Sequence, residues 1–180
     1  MSETPFKDGF ETERKFLIEM PAKETLDGIR ANGKEYKITQ TYLVMKNDGK
    51  NAVRRVRKTE KSGETKYFYT EKTDVSFGKR RETEREISKE EYEKYLKEKD
   101  GNLWEIDKKR YVFEYENSVF ELDVYPFEEK FAVLEIELED IDEVFAFPPF
   151  LKLVKDVTGE SGYTNYALAM RKTLLKTEKQ

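Results

Sequence analysis

The segment from Glu11 to Lys15 carries acidic and basic side chains at a spacing that could hold a metal ion beside an anion. If the segment is a β-strand, Glu11, Glu13 and Lys15 point to one face, because successive side chains of a strand alternate between faces. Two carboxylates and an ammonium group would then stand in a row. A single triplet of this kind is also typical of the solvated face of an edge strand. Its meaning depends on whether later segments repeat the pattern.

Later strand-like segments do repeat charges at a period of two residues. Arg55 and Arg57 share one face, and Glu135 and Glu137 share the face opposite a run of alternating apolar residues from 132 to 138. The predicted strands together place on one side Glu11, Glu13, Lys15, Arg55, Arg57, Lys72, Arg80, Glu82, Glu84, Lys108, Arg110, Glu121, Asp123, Glu135 and Glu137. This repetition indicates a shared function for the charged face.

Composition narrows the chemistry that this face could perform. Charged residues make up 40% of the 180-residue chain, well above the roughly 25% of an average globular protein. The net charge of -4 is opposite to the basic footprint of a nucleic-acid-binding protein. The chain has no Cys and no His, so thiolate and imidazole ligands are excluded. Any bound metal must be held by oxygen, which favours a hard ion such as Mg²⁺, Mn²⁺ or Ca²⁺.

Hydrophobic periodicity and turn residues predict an α+β fold in which an eight-stranded antiparallel β-barrel forms a tunnel with a few flanking helices. The chain reads as a single domain spanning residues 1–180, with residues 1–9 as a flexible N-terminal extension. We predict strands at 11–18, 37–45, 52–58, 66–72, 80–87, 104–115, 119–125 and 131–139, and helices at 22–30, 88–97, 148–155 and 163–176. Ser88 and Glu91 have the spacing of a capping box at the start of the second helix.

A closed barrel would concentrate the charged face in a lumen, whereas an open sheet would show it to solvent. Interleaved acids and bases in a lumen offset one another or bind a ligand that does so. A triphosphate would match the basic set, and Arg55 and Arg57 suit bidentate contacts to oxygen. Mg²⁺ usually takes one or two carboxylates plus substrate phosphates, which the acidic residues could supply. A barrel whose charges pair on its surface, without a ligand, is the competing interpretation.

Phosphoryl transfer depends mainly on positioning and on charge stabilisation, so the lack of a His, Cys or serine nucleophile does not exclude it. The G-x-x-x-x-G-K-[ST] phosphate loop and the G-x-G-x-x-G motif are both absent from the sequence. A helix N-terminus is therefore not the predicted route to phosphate.

The order of these segments resembles the CYTH superfamily, the triphosphate tunnel metalloenzymes. The opening Glu-Thr-Glu-Arg-Lys matches the family's E-x-E-x-K strand, and the similarity spans about residues 10–168. It continues through Gln40-Thr41-Tyr42-Leu43, Arg55-Val56-Arg57, Thr70-Glu71-Lys72, Arg80 with Glu82, Glu84 and Glu86, Lys108-Lys109-Arg110-Tyr111, Glu121-Leu122-Asp123, Leu134-Glu135-Ile136-Glu137-Leu138 and Tyr163-Thr164-Asn165.

The resemblance implies a tunnel whose basic residues bind a triphosphate and whose acidic residues bind Mg²⁺ or Mn²⁺. It also implies a catalytic role for Lys72, together with a tyrosine for which Tyr42 is the candidate. The implied metal ligands are Glu11, Glu13, Asp123, Glu135 and Glu137. The implied substrate-binding residues are Lys15, Arg55, Arg57, Lys72, Arg80, Lys108 and Arg110.

The function predicted from the sequence is a metal-dependent hydrolase of inorganic triphosphate or of an organic triphosphate. The alternatives are an adenylate cyclase, which needs an adenine and ribose site that no segment identifies, and a non-catalytic module that binds polyphosphate or nucleotides. The expected partner is a small-molecule triphosphate, with neither nucleic acid nor membrane. A homodimer is compatible with the family, although no segment marks an interface. The expected location is cytoplasmic, because no apolar run reaches the length of a membrane span.

Overall fold

The computed structural model describes residues 6–49 and 51–171, with side chains from residue 8. Most elements of the described residues are strands, and the others are three α-helices and one short 3₁₀ helix at Ser161–Tyr163. They are β1 (Phe6–Glu19), α1 (Lys23–Asn32), β2 (Lys34–Tyr42), β3 (Val53–Lys61), β4 (Glu64–Ser76), β5 (Lys79–Ile87), α2 (Lys89–Leu96), β6 (Ile106–Tyr115), β7 (Ser118–Val124), β8 (Phe131–Glu137), β9 (Leu153–Asp156) and α3 (Asn165–Arg171).

The first eight strands form a closed antiparallel barrel. The strand order is β5-β4-β3-β2-β6-β7-β8-β1, and a further pairing of β5 with β1 closes the ring. Every pairing between neighbours is antiparallel. The eight-stranded α+β barrel predicted from the sequence is confirmed. Closure leaves the inward side chains of all eight strands facing one interior.

Strand β1 closes the barrel by pairing with two different strands. Its first half, Phe6–Thr12, pairs with β5, and its second half, Glu13–Glu19, pairs with β8. The strand therefore begins before the predicted residue 11. The predicted N-terminal extension falls partly on residues 1–5, which lie outside the described residues, while residues 6–9 belong to β1.

The ninth strand replaces a helix that the sequence predicts. We expected a short helix through Lys155, but residues 153–156 are extended and pair antiparallel with Phe16–Ile18 of β1. The prediction was wrong because the second half of β1 has a free edge on the side where its first half meets β5. Its backbone donors and acceptors need partners, and β9 supplies them.

Helices and loops cover the outer face of the barrel with two apolar clusters. On one side, Phe16, Phe113 and Phe120 of the barrel pack with Ile29 of α1 and Leu151 of the 148–151 turn. On another side, strands β3 to β5 pack against Tyr92 of α2. Outward-facing apolar residues thus alternate with the inward-facing charges, as the sequence pattern predicts.

A third apolar cluster fills the part of the barrel interior that lies next to α3. Leu17 lies two residues after Lys15, and Val133 lies two residues before Glu135, so each shares its neighbour's inward face. These two side chains pack with Leu168 of α3. The interior therefore has a charged layer that rests on an apolar one. Among the described residues, no helix is long and apolar enough to span a bilayer.

Two glycines, one inside α1 and one directly after it, should respond oppositely to substitution by alanine. A Cβ at Gly33 would lie 2.4 Å from the carbonyl oxygen of Val112, whereas a Cβ at Gly28 meets nothing within 4 Å. Gly33→Ala should lower the free energy of unfolding by about 2 kcal/mol, because the backbone at β6 must move. Gly28→Ala, inside α1, should raise it by about 0.5–1 kcal/mol. Urea unfolding of both variants tests this, and two changes of equal sign would contradict the close approach at Gly33.

The predicted capping box at the start of α2 is present. The Ser88 hydroxyl accepts a hydrogen bond from the Glu91 amide at 3.1 Å, and the Glu91 carboxylate accepts one from the Ser88 amide at 3.0 Å. Ser88→Ala should lower the free energy of unfolding by about 1 kcal/mol in urea denaturation. Glu93→Gln, on the exposed face of the same helix, is the matched control and should change it by less than about 0.5 kcal/mol. Equal effects of the two changes would contradict a capping role.

Candidate functional site

A cavity of about 900 Å³ occupies the charged layer of the barrel. All the site residues predicted from the sequence line it, except Asp123. They come from seven of the barrel strands, because each strand contributes alternate side chains to the interior. The charged lining consists of Glu11, Glu13, Lys15, Arg55, Arg57, Lys72, Asp74, Arg80, Glu82, Glu84, Lys108, Arg110, Glu121, Glu135, Glu137 and Glu160.

The acidic wall is formed where β1 meets β8. Glu13 lies directly opposite Glu137 in the strand register, and Lys15 lies opposite Glu135. The Lys15 ammonium is 3.0 Å from a Glu135 oxygen and 3.3 Å from a Glu13 oxygen. Like charges directly opposite each other destabilise a strand pair. The Glu13 and Glu137 pair therefore indicates a position where a cation is favourable.

Asp123 lies behind this wall and is fully buried. Lys108 Nζ is 2.6 Å from its Oδ2, while Arg110 donates to Oδ1 at 2.7 Å and to Oδ2 at 2.8 Å. These donors hold the pKa of Asp123 below its ordinary value despite its burial. The structure thus places Asp123 as the anchor of two cations of the lumen, at a distance from the cavity surface.

Buried charges shift the proton affinities of the lysines in opposite directions. Burial, together with Arg110, lowers the pKa of Lys108 to about 8, even though Asp123 opposes the change. Burial would also lower the pKa of Lys15, but Glu13 and Glu135 outweigh it and raise this pKa. Burial alone would raise the pKa of Glu135, whereas Lys15 and Arg110 hold it well below its usual range. Lys15 and Glu135 are therefore charged near pH 7, whereas Lys108 loses its proton more readily than an ordinary lysine.

The opposite wall is basic and lies on β3 and β4. Lys72 is held between two carboxylates, with its Nζ 2.7 Å from Glu11 Oε2 and 2.6 Å from Glu82 Oε2. Arg57 donates through Nη2 to both oxygens of Glu84 at 3.1 Å. Arg55 differs from these two residues, since it forms no ion pair with any carboxylate in the described part of the chain. Its guanidinium contacts the Tyr42 hydroxyl, and its buried Nε, like that of Arg57, has no hydrogen-bond partner.

Arg80 completes this wall at the start of β5. Its Nε is 3.0 Å from Asp74 Oδ1, and its Nη1 is 3.7 Å from Glu13 Oε1. Arg80 thus extends from the basic wall toward the acidic one.

Tyr42 is buried and lies opposite Arg55 in the register of β2 and β3. Gln40 Nε2 donates to the Tyr42 hydroxyl at 2.7 Å, and the rings of Tyr42 and Tyr166 meet edge to face at 5.3 Å. Burial raises the pKa of Tyr42, although Arg55 and Gln40 act in the other direction. The phenol is therefore neutral near pH 7. Within the described residues no hydrogen bond joins Tyr42 to Lys72, its predicted catalytic partner.

Carboxylate oxygens lining the cavity fit a hard divalent ion. In the described residues no group of three or more acidic side chains is already arranged to hold a metal. The opposed Glu13 and Glu137 nevertheless supply the one or two carboxylates that Mg²⁺ typically takes, the remaining ligands being phosphate oxygens and water. The donor set of the cavity thus suits Mg²⁺ or Mn²⁺ in combination with a phosphate ligand.

Some cavity residues were not among the predicted site residues. Gln40 is fully buried and lines the cavity with Tyr42, and its position two residues earlier on β2 would have indicated this. The exposed apolar side chains Met45, Val75, Phe77 and Met170 also line the cavity. Met45 and Phe77 lie in loops and Met170 lies on α3, where strand periodicity does not apply, while Val75 lies at the end of β4, beyond the predicted strand 66–72.

The closed antiparallel barrel and its charged lining are the features of a tunnel protein. Comparisons with known proteins agree with this class. A family model described as the CYTH domain matches residues 9–154. The chain therefore belongs to the CYTH family. No curated protein sequence gives a significant match to it.

Solved structures extend the likeness to the whole barrel. The inorganic triphosphatase NE1496 is 27% identical, with a TM-score of 0.55 over 89% of this chain and 94% of that chain. The PH1012 protein from Pyrococcus horikoshii OT3 is 20% identical, with a TM-score of 0.52 over 73% and 81%. HpAC1 from Hippeastrum, described as revealing a dominant triphosphatase activity, is 15% identical with a TM-score of 0.50 over 72% and 80%. The latter two similarities bear on the fold alone.

Proposed function

We propose that the protein is a divalent-metal-dependent triphosphatase that hydrolyses a phosphoanhydride bond of a triphosphate inside the tunnel. The observation that carries the proposal is the enclosure, in one cavity, of seven basic side chains together with the opposed Glu13 and Glu137 pair. Its 27% identity to the inorganic triphosphatase NE1496 supports the same chemistry. The function predicted from the sequence is thus the one that the geometry favours.

The basic wall would bind and orient the substrate. Arg55 forms no ion pair with a carboxylate among the described residues, so phosphate oxygens can bind its guanidinium without breaking an ion pair, although its hydrogen bond with Tyr42 lies beside them. Arg57, Lys72 and Arg80 flank it and would neutralise the charge that develops on the oxygens during cleavage. Tyr42, as a neutral phenol, would donate a hydrogen bond to the bound anion.

The acidic wall would complete the site. Glu13 and Glu137 would hold Mg²⁺ or Mn²⁺, which when bound polarises phosphate oxygens and makes water more nucleophilic. Lys15, fixed between Glu13 and Glu135, adds a permanent positive charge beside this position. Asp123 would act by positioning Lys108 and Arg110. The net reaction adds one water molecule across a P–O–P bond and yields two phosphate-containing products.

The exposed end of the cavity bears on substrate choice between inorganic and organic triphosphates. The apolar side chains of Met45, Phe77 and Met170 would contribute no favourable contact to tripolyphosphate, whereas an organic group could pack on them. A comparison of tripolyphosphate with ATP and thiamine triphosphate therefore separates the two substrate classes.

Phosphate release from this panel, with Mg²⁺ or Mn²⁺ and purified protein, tests the proposal. We expect turnover of at least one substrate and none after the metal is removed with EDTA. Cyclic AMP formed from ATP would favour the cyclase, and tight binding without turnover would favour the non-catalytic module. The cytoplasmic location and the homodimer remain predictions.

A further inference from the structure

The net charge of the cavity lining does not favour an anion. Its lining carries nine acidic and seven basic side chains among the described residues. The acids on β1 and β8 have a proposed role in holding a metal ion. The acids on β5, Glu82 and Glu84, face the basic wall instead, and the proposed function leaves them without a role.

Glu84 already binds the guanidinium of Arg57, which the substrate would also need. Both of its oxygens are 3.1 Å from Arg57 Nη2, and the Thr70 hydroxyl donates to Oε2 at 2.8 Å. Burial opposes the charge of Glu84, but Arg57 and Arg55 outweigh it and keep its pKa below the ordinary value. The carboxylate is thus ionised, held in place by Arg57 and Thr70, and poorly screened by solvent, as a bound anion would be.

Glu82 repeats this arrangement at the next inward position of β5. It is buried, and its oxygen is 2.6 Å from Lys72 Nζ. Arg55 is opposite Thr70 in the register between these two pairs and has no ion pair in the described part of the chain. Of the three cations on β3 and β4, Arg57 and Lys72 therefore already contact a carboxylate of β5, whereas Arg55 has no ion pair among the described residues.

An incoming phosphate meets these groups unequally. At Arg55 it competes with no ion-paired carboxylate of the described residues, but it must compete with Glu84 for Arg57 and with Glu82 for Lys72. A short product has fewer charged oxygens with which to compete than a triphosphate has. Removing one buried negative charge near the ligand should strengthen anion binding by about tenfold, which corresponds to 1.4 kcal/mol.

We propose, on the basis of the proposed function, that Glu84 determines phosphate affinity: it competes with bound anions for Arg57 and so favours release of the diphosphate product. The isosteric change Glu84→Gln removes the charge and keeps an acceptor for Thr70. Glu86→Gln is the matched control, because Glu86 lies two residues further along the same strand, outside the cavity lining, 3.8 Å from Lys66.

The experiment is isothermal titration of inorganic pyrophosphate, in the presence of Mg²⁺, into the wild-type protein and both variants. Glu84→Gln should bind pyrophosphate about tenfold more tightly than the wild type, and Glu86→Gln should stay within twofold. In steady-state hydrolysis Glu84→Gln should lower both KM and the pyrophosphate inhibition constant. A purely structural role, in which Glu84 holds Arg57 in place, would weaken binding and raise KM.

Equal or weaker pyrophosphate binding by folded Glu84→Gln overturns the inference. If the wild type still hydrolyses a triphosphate, the proposed function survives that result. If the wild type neither binds pyrophosphate nor hydrolyses any triphosphate, both fail. Should circular dichroism show that Glu84→Gln does not fold, Glu82→Gln tests the same competition through Lys72, with the same expected tightening.

Discussion

Replacing Glu137 with glutamine is expected to lower kcat for triphosphate hydrolysis by about 100-fold or more at fixed Mg²⁺. Glu137 faces Glu13 across β8 and β1, and the change removes one of the two opposed charges proposed to hold the metal ion. The neutral amide is nearly the same size as the carboxylate and relieves the repulsion from Glu13, so the barrel should stay folded. The loss of activity would then accompany an intact fold.

The measurement is phosphate release as a function of Mg²⁺ concentration, alongside urea unfolding. Glu139→Gln is the control, because Glu139 lies just beyond the end of β8 and outside the cavity lining. It should retain the wild-type rate. Wild-type turnover and wild-type Mg²⁺ dependence in Glu137→Gln would remove this residue from the proposed metal site.

The second large effect is on stability. Asp123→Asn should lower the free energy of unfolding at pH 7 by about 3–5 kcal/mol, because it leaves two buried cations without their shared carboxylate. Those cations are Lys108, 2.6 Å from Asp123, and Arg110, 2.7 Å from it. Glu121→Gln is the matched control on the same strand, since Glu121 also pairs with Arg110 but is more exposed. We expect a much smaller loss from that change.

The pH dependence of this difference has a definite sign. The pKa of Asp123 is lower in the folded protein than in the unfolded chain, so its ionised form stabilises the fold above the unfolded value of 3.8. That contribution is lost as the pH falls through the lower, folded pKa. The stability gap between wild type and Asp123→Asn should therefore be largest near neutral pH and shrink in acid. Urea titrations at several pH values measure it, and a constant gap would contradict the ion-pair origin.

Alternation of charge made both the barrel and most of its lumen predictable. The period of two in 11–15 and in 135–137 assigned each side chain to a face without reference to its partners. It also separated Arg55 from its neighbour, since Arg54 lies on the outer face and donates to Tyr69 and Glu98. The number of strands and their short connections then predicted that the sheet closes into a barrel.

Contacts across the lumen could not be predicted in this way. Periodicity predicts that Asp123 and Glu135 point inward. It does not predict that Asp123 is enclosed by donors while Glu135 lines the cavity. These differences depend on three-dimensional depth and on which long side chain reaches which carboxylate. Similarly, β9 forms because β1 has an open edge, which is a property of the assembled sheet and not of the local sequence.

The pairing of β1 with two partners has a kinetic consequence. The first strand of the chain must meet β5 through Phe6–Thr12 and β8 through Glu13–Glu19, so its contacts span more than a hundred residues of sequence. Such distant contacts slow folding, because a large loop must close before they form. Glu11 lies on the β5 side of this junction, and Glu13 and Lys15 lie on the β8 side. The charged side chains of β1 therefore join the rest of the candidate site only once the N-terminal strand has paired with both β5 and β8, which are synthesised long after it.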